Sequence, residues 1–314
     1  MMSSFVQLAL KNYGLHALSY ATLQPHCQYF SFKDGYLAYF QLSNLVCVLG
    51  DPVADKADWP ALISSFLTTF DQVSFYYISA RFACFLRQQG LYITPFGQEH
   101  RLMLNKWTLS WNKTPYLKRQ LSKARSIRVI EGRRLDVLDS DLRFIDEEWL
   151  KHRGGITHKH IFLTRPLSYI DEVDVRFFLA YQGKQLVAYR LFDPMYRDGS
   201  IYGYYASICR YLPHCCSGVA TTLLVSAFSS FKSEGLFTVS LGLSPFEHLS
   251  LWRGLPLLNP FFISFFYLGY PLSFRGLATY KNHFRAQKIW RYMAFSSVFP
   301  VGTLWKTKRM MLSD

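Results

Sequence analysis

The sequence predicts an α/β (α+β) fold in which mixed β-sheets are flanked by helices. The main observation is the stretch 200–245, where an alternating strand pattern, a helical pattern and the short apolar strand 237–243 follow one another. Strands and helices also alternate from the N-terminus to residue 104. The second half of the chain then repeats the first in outline, as helices, hairpin, long strand, helix and strand.

The N-terminal region is typical of a mixed sheet crossed by helices. Residues 2–24 predict an amphipathic opening helix, and the turn signals Asp34-Gly35 and Ser43-Asn44 separate the strands that follow it. The predicted strands are 29–32, 36–42, 45–49, 73–79, 91–96 and 101–104, and the predicted helices are 57–70 and 80–89.

The C-terminal region begins with helices and continues through a hairpin to the long strand at residue 200. The predicted elements are the helices 115–126 and 135–151 and the hairpin strands 176–181 and 185–192. Because 314 residues exceed the usual size of a single domain, we predict an N-terminal domain over residues 1–132 and a C-terminal domain over residues 133–314.

Composition and charge restrict the class of partner. Half of the residues are hydrophobic and 18% are aromatic, so the chain can bury a large core without disulfides. There are 35 Lys and Arg against 21 Asp and Glu, which gives a net charge of +14. A surface this basic favours nucleic acid, anionic lipid headgroups or acidic metabolites as partners.

Cysteine usage and hydropathy bear on the compartment. The six cysteines show no Cys-x-x-Cys spacing, which favours reduced thiols in the cytosol and no metal site. The N-terminus has no basic region and too short an apolar run for a secretory signal. Residues 254–274 are uncharged, and three prolines interrupt them, so a buried or interfacial hydrophobic hairpin fits better than a membrane span.

The segment 113–134 is strongly basic and carries one acid, Glu131. Such a run is either a solvated helix face or a surface that contacts phosphates, and both interpretations stay open at this point. Its cations are Lys113, Lys118, Arg119, Lys123, Arg125, Arg128, Arg133 and Arg134.

The turn before the helix in the 200–245 stretch is a candidate for binding an anion or a carbonyl oxygen. Ser217 is placed to cap this helix, which leaves the N–H groups of Gly218, Val219 and Ala220 directed at a ligand. The unit resembles the pyrophosphate-binding turn of GNAT-type acyltransferases, with Cys215 where that family usually has Gln or Arg. An ordinary strand–helix–strand crossover is the alternative.

The C-terminal region carries the most distinctive motif. Phe274-x-Gly276-Leu277-x-x-Tyr280-Lys281-x-x-Phe284 follows Leu241-Gly242-Leu243-Ser244-Pro245 and precedes Trp290-Arg291-Tyr292. Together with Gly50-Asp51-Pro52 upstream, these residues resemble the C-terminal domain of the phosphatidylglycerol lysyltransferases, over residues 28–295. The resemblance implies a tandem pair of GNAT-like domains, with the transfer site in the second.

The same resemblance implies transfer of an aminoacyl group from aminoacyl-tRNA to a lipid, such as phosphatidylglycerol, or to a small hydroxyl or amine. It implies neither a metal nor a cofactor, since aminoacyl-tRNA is itself the donor substrate. Family members usually carry Asp-Leu-Met-Arg on the strand before the central helix. Here the run is Ser207-Ile208-Cys209-Arg210, so the arginine is kept and the acid is lost.

Acyl transfer needs donors for an oxyanion and a base for the nucleophile. Arg210 and Lys281 are the predicted fixed cations, and structural ion pairing is the alternative for both. Glu99, Glu247 and His248 are the predicted bases, although a histidine at such a position is often a cap or a surface group. The other predicted substrate-binding residues are Ser217, Gly218, Val219, Ala220 and Ser244, and the predicted tRNA-binding residues are Lys113, Lys118, Arg119, Lys123, Arg125 and Arg128.

Two other functions remain open from the sequence. The same turn would suit an acyl-CoA-dependent N-acyltransferase, and the basic scaffold would suit a non-catalytic lipid-binding module. We expect a cytoplasmic location, with contact at the inner face of the membrane as an open question.

Overall fold

In a computed structural model of the chain, eleven strands form one continuous mixed sheet. The structure describes residues 4–110, 112–152, 162–248 and 274–297, together with residues 303, 304 and 307. The strands are β1 (Gln28–Phe32), β2 (Gly35–Leu42), β3 (Leu45–Leu49), β4 (Gln72–Ile78), β5 (Tyr92–Met103), β6 (Ile127–Gly132), β7 (Arg176–Gln182), β8 (Gln185–Arg197), β9 (Ser200–Tyr211), β10 (Thr238–Pro245) and β11 (Gln287–Phe295). The helices are α1 (Ser4–Tyr13), α2 (Trp59–Thr69), α3 (Ala80–Gln88), α4 (Pro115–Lys123), α5 (Asp139–His152), α6 (Val219–Ser233) and α7 (Phe274–Asn282).

The strand order shows that two similar halves exchange their last strands. The order is β1-β2-β3-β4-β11-β5-β10-β9-β8-β7-β6. In the first half β3 and β4 are parallel and joined through α2, and in the second half β9 and β10 are parallel and joined through α6. Each half then sends its final strand across, so that β5 pairs with β10 and β11 pairs with β4. The predicted mixed α/β fold, with helices flanking the sheet, is confirmed.

The helices divide between the two faces of the sheet. Residues that alternate along the strands belong to different core clusters, so that Tyr204 and Ala206 pack with α6 while Tyr205 packs on the other face. Helices α2, α3, α4, α6 and α7 lie on one face, and α1 and α5 lie on the other. Among the described residues, no helix is long and apolar enough to cross a bilayer.

A buried ion cluster lies where the exchanged strands meet. Glu99 on β5 is fully buried and accepts hydrogen bonds from Arg291 on β11, from Arg101 and from the Ser240 hydroxyl on β10. Burial alone would raise the pKa of Glu99, but the two guanidinium groups hold it well below its usual range. This carboxylate therefore ties β5 to both of its neighbours.

Three predicted elements differ from the structure. The predicted helix 2–24 is the shorter α1, which ends where the Gly14 N–H bonds to the Leu10 carbonyl, followed by a 3-10 turn at Tyr20–Leu23. The predicted strands 91–96 and 101–104 are one strand, β5, because pairing with β10 and β11 keeps the Gly97 region extended. Strands β6 and β11 were not predicted, and the predicted hairpin at 254–274 lies outside the described residues.

A single sheet runs through both halves of the chain. The division into two domains at residue 132 stays a prediction. Strand β6, which the prediction placed in the first domain, pairs with β7 at the edge of the second half. The outline repeat has a structural counterpart in the matching β3–α2–β4 and β9–α6–β10 units.

Candidate active site

The site begins where β9 and β10 separate. Their parallel pairing runs only from Gly203–Thr238 to Tyr205–Ser240. Beyond that point β9 pairs with β8 and β10 pairs with β5, so an opening remains between the two strands. Gly242 lies at the bulge in β10 with a φ of 79°, and a Cβ there would lie 2.8 Å from the Tyr205 ring. Only glycine fits this approach without strain.

Lys281 on α7 is buried beside this opening. Its Nζ donates a hydrogen bond of 2.7 Å to the Leu243 carbonyl oxygen on β10. Burial lowers the pKa of Lys281 to about 7, against the opposing effect of the Glu247 carboxylate and with a further contribution from Arg190. Near neutral pH the amine is therefore present in both protonation states, so it is not the fixed cation that the sequence predicted.

Two further groups stand next to Lys281 on the same face. The Tyr280 hydroxyl lies 3.4 Å from the Thr221 hydroxyl, which connects α7 to the first turn of α6. Burial raises the pKa of Tyr280 to about 12, so the phenol stays protonated. Arg190 on β8 is buried and close enough to affect the pKa of both Tyr280 and Lys281.

Glu247 is the centre of a hydrogen-bond network that includes a histidine. Its carboxylate accepts from His100 Nε2 at 2.8 Å, Lys288 Nζ at 2.6 Å and Asn282 Nδ2 at 3.1 Å. Burial would raise the pKa of Glu247, but these donors lower it to about 2. A carboxylate that is ionised and hydrogen-bonded in this way is a poor base, which corrects the predicted role; its contact instead orients His100.

Several polar atoms around the opening lack a hydrogen-bond partner within the described part of the chain. Ser244 and Gln98 face each other across β10 and β5. The unpartnered buried atoms here are Ser244 Oγ, Gln98 Oε1, His100 Nδ1 and Arg190 Nε. Buried polar atoms are normally satisfied, so such a group points to a site that a polar ligand or water occupies.

The sequence prediction missed Gln98, His100 and Arg190. The predicted strands 91–96 and 101–104 leave out residues 97–100, and this gap contains two polar residues of β5, Gln98 and His100. The available signal was polar residues inside strands that are otherwise apolar, because such residues are rarely buried without a reason.

The predicted turn at the start of α6 has a different geometry. Ser217 is exposed and does not cap the helix; the N-cap is Gly218, with a φ of 114°. The Val219 N–H bonds to the Cys216 carbonyl, and a Cβ on Gly218 would lie 2.3 Å from the Gln120 carbonyl oxygen of α4. The turn from Ser217 to Ala220, whose N–H groups were predicted to bind a ligand, is thus packed against the Gln120 carbonyl group.

Arg210 lies away from Lys281. Its Nε donates to Asp146 on α5 at 2.7 Å, and its guanidinium lies 4.0 Å from the centre of the Trp149 ring. Because α5 and α7 lie on opposite faces, these contacts hold the two predicted cations on different sides of the sheet. These contacts fit the alternative role for Arg210, a structural ion pair, and the partner in that pair is Asp146.

Ser207 occupies the position of the missing family acid. Its hydroxyl donates to Asp193 on the neighbouring strand β8 at 2.9 Å, and Asp193 forms a buried ion pair with Arg165 at 2.7 Å. The structure therefore has a carboxylate on the strand next to Ser207, the position where the family usually has an acid.

Two of the predicted bases are placed unfavourably. Glu99 is locked in the ion cluster between β5 and β11, so its contacts are structural. His248 is exposed, with its Nε2 3.3 Å from Lys288 Nζ and 3.4 Å from a Glu247 oxygen. This histidine lies at the outer edge of the Glu247 network.

Five of the six predicted tRNA-binding cations lie on or beside α4, on the face that carries α6 and α7. Arg128 instead lies on β6, between residues that face α6, and its guanidinium lies 5.4 Å from the centre of the Tyr181 ring on the other face of the sheet. Lys118 is half-buried, and the other five are exposed. None of those five forms an ion pair with an acid among the residues that the structure describes. The five are Lys113, Arg119, Lys123, Arg125 and Arg128.

Several solved structures share this fold. The structure of L-PGS from Bacillus licheniformis superposes with a TM-score of 0.82 at 20% identity, over 98% of this chain and 96% of that one. The C-terminal domain of a putative lysylphosphatidylglycerol synthetase from Agrobacterium fabrum gives 0.79 at 18% identity, over 99% and 97%. FemX gives 0.54 at 10% identity, over 97% and 98%. At these identities the likeness shows the fold alone.

The sequence comparison is more specific. Residues 7–295 match the family described as phosphatidylglycerol lysyltransferase, C-terminal, and the chain belongs to that family. A phosphatidylglycerol lysyltransferase of Bacillus subtilis is 24% identical over 307 residues, which cover 91% of this chain and 34% of that protein. One from Staphylococcus epidermidis is 21% identical over 250 residues, 76% of this chain and 29% of that protein. The chain spans about a third of the length of these curated relatives.

Proposed function

We propose that this chain transfers an aminoacyl group from aminoacyl-tRNA to the hydroxyl of a phosphatidylglycerol-like lipid. Family membership supports this class of reaction, and the names of the relatives suggest lysine as the first amino acid to test. The observation that carries the proposal is Lys281, a buried amine whose pKa lies near 7, at the opening between β9 and β10.

The proposed chemistry needs one group that both takes and gives a proton. The acceptor hydroxyl attacks the ester carbonyl of the donor and gives its proton to neutral Lys281. The tetrahedral intermediate then expels the tRNA ribose oxygen, which receives that proton. A group with a pKa near the working pH is best suited to both steps. The reaction as proposed requires no metal and no cofactor.

In this proposal Arg190 stabilises the oxyanion of that intermediate. Its guanidinium is buried near Lys281, and its Nε has no partner among the described residues. A preorganised donor of this kind contributes about 3–4 kcal/mol to the transition state. Ser244, Gln98 and His100 supply further polar atoms for the aminoacyl or acceptor group.

Two features favour tRNA over acyl-CoA as the donor. The Gly218 turn faces the Gln120 carbonyl, whose oxygen would repel the pyrophosphate of CoA. The exposed cations of α4 lie on the same face as Lys281 and suit a polyanion such as tRNA. A basic surface also suits an acceptor in an anionic membrane.

The proposal is tested with radiolabelled lysyl-tRNA and vesicles that contain phosphatidylglycerol. Replacing Lys281 by Met should reduce the rate of label transfer to lipid about 10²–10⁴-fold, because the proton-transfer group is removed. Lys281→Arg should not restore the rate, since an arginine stays protonated. Lys232→Met, at the C-terminal end of α6, is the matched control and should transfer at the wild-type rate.

The pH profile supplies an independent criterion. If neutral Lys281 takes the first proton, the transfer rate should rise with pH through about 7. Absence of transfer from the whole pool of labelled aminoacyl-tRNAs would reject the proposed function. Wild-type rates in Lys281→Met would reject the role given to Lys281.

A further inference from the structure

A second concave region lies at the far end of β5. It has a volume of about 440 Å³ and is lined by the segments 101–103, 106–108, 113–114 and 284–287. The Trp107 indole donates to the Phe284 carbonyl at 3.0 Å and packs against Phe228, so two of these segments are fixed to each other and to the core. We call this region the β5 groove.

The β5 groove is lined by cations without acids. Lys106, Lys113 and Arg285 are exposed at its edge, and Arg101 lies deeper and pairs with Glu99. No acidic residue is among the groove-lining residues, and the three exposed cations form no ion pair with any described acid. Converging cations of this kind bind phosphate groups.

Aromatic side chains continue the groove toward α4. The rings of Tyr116 and His283 stack with their centres 3.7 Å apart and an angle of 13°, and both residues are partly exposed. Nucleic-acid bases stack on such aromatic surfaces while cations hold the backbone, which is the usual arrangement for binding single strands.

The groove is also connected to the candidate active site. Arg285 lies four residues beyond Lys281, in the turn that follows α7. A strand whose phosphates lie on Lys106 and Arg285 would therefore pass close to α7, next to the buried amine.

From this arrangement we infer that the β5 groove binds the phosphates of the single-stranded 3′ end of the nucleic-acid donor, with Tyr116 and His283 beneath its bases. The inference rests on the proposed function and names a surface separate from the exposed face of α4. Under it, α4 contacts the double-stranded part of the donor, and the groove guides the reactive end.

The test is a charge reversal, Lys106→Glu with Arg285→Glu, compared with the control pair Lys56→Glu and Lys232→Glu. Both pairs change the net charge equally, and all four positions are exposed. Binding is measured by fluorescence anisotropy across a range of salt concentrations. The probes are uncharged tRNA, the same tRNA lacking its single-stranded 3′ end, and phosphatidylglycerol vesicles.

We expect the groove variant to bind intact tRNA on the order of tenfold more weakly at low salt. The slope of log affinity against log salt concentration should be smaller by about 1.4, that is about 0.7 for each of two lost contacts with a single strand. Its affinity for the truncated tRNA should equal that of the control. Lys113→Gln should lower the slope by about half as much. Thermal unfolding confirms that each variant is folded.

Equal weakening toward intact and truncated tRNA would overturn the inference, as would unchanged tRNA binding. Loss of vesicle binding with intact tRNA binding would assign the groove to the lipid surface instead, which also overturns it. Failure of the proposed function is a separate result, because it is an absence of label transfer by the wild-type protein, whereas the groove is judged on binding alone.

Discussion

In the first half of the sheet, β3 and β4 pair along their whole shared length, from Leu45–Gln72 to Leu49–Tyr76, and the Gly50 N–H extends this with a bond to the Tyr76 carbonyl. In the second half, β9 and β10 pair over only three residues before they separate. Both β4 and β10 contain a bulge after the crossover helix, at Tyr77 with a φ of 65° and at Gly242 with a φ of 79°.

Different residues complete these two similar units. In the first half, His16 packs directly on Gly50, where a Cβ would lie 2.3 Å from the imidazole, and Tyr77 fills the bulge. In the second half, the glycine at the bulge and the early end of pairing leave room for Lys281 and its polar neighbours. The same topology therefore gives a closed, structural strand end in one half and an open, polar one in the other.

The largest effect is expected from the ion cluster that holds the two halves together. Glu99→Gln removes the negative charge that neutralises Arg291 and Arg101 in the core, so the free energy of unfolding should fall by about 3–5 kcal/mol. Urea denaturation measures this loss. Because the folded pKa of Glu99 is lowered, its stabilising contribution is complete above pH 4.5 and decreases as the pH falls below that value.

Glu148→Gln is the control for this prediction, since Glu148 pairs with Lys151 on the surface of α5. We expect no measurable change in stability there. Similar stabilities of the two variants would show that the Glu99 cluster does not hold the halves together.

The second prediction concerns the closed half. Burial lowers the pKa of His16 from 6.5 to about 4, so the unfolded chain binds a proton there that the folded chain does not. Its stabilising effect is complete above about pH 6.5 and is lost toward pH 4, a change of roughly 3 kcal/mol. His16→Phe should flatten the pH dependence of unfolding in this range, measured by denaturation at several pH values.

His100 is also buried with a lowered pKa, so the wild-type slope contains its contribution. The difference between wild type and His16→Phe isolates His16. Identical slopes would contradict the contrast between the two halves, because they would mean that His16 is not the closed, neutral group described above.

The smallest effect is expected at the turn of the open half. Gly218→Ala places a methyl group against the Gln120 carbonyl at a positive φ, which should cost on the order of 2 kcal/mol of unfolding free energy. Gly235→Ala, at a φ of 78° with no atom near its Cβ, should cost about 1 kcal/mol, from conformation alone. Thermal denaturation compares the two, and an equal loss would mean that the contact between α4 and α6 is not tight.

Much of the fold followed from local pattern. Alternating apolar residues predicted most strands, and the strand–helix–strand unit at 200–245 identified the part of the chain that carries the site. Motif residues near the C-terminus also singled out Lys281. The prediction failed for β11 and for the Gly97 region. Both are extended because they pair with strands on either side, and those strands are distant in sequence.

The sequence by itself determined the mixed α/β class, the basic character of the surface and the family to which the chain belongs, because these depend on composition, periodicity and short motifs. Tertiary structure alone decided which charged residues lie in the candidate site. Glu99 became a structural anion and Lys281 a titratable amine because burial and nearby charges set their pKa values, and both arise only when β5, β10 and β11 come together.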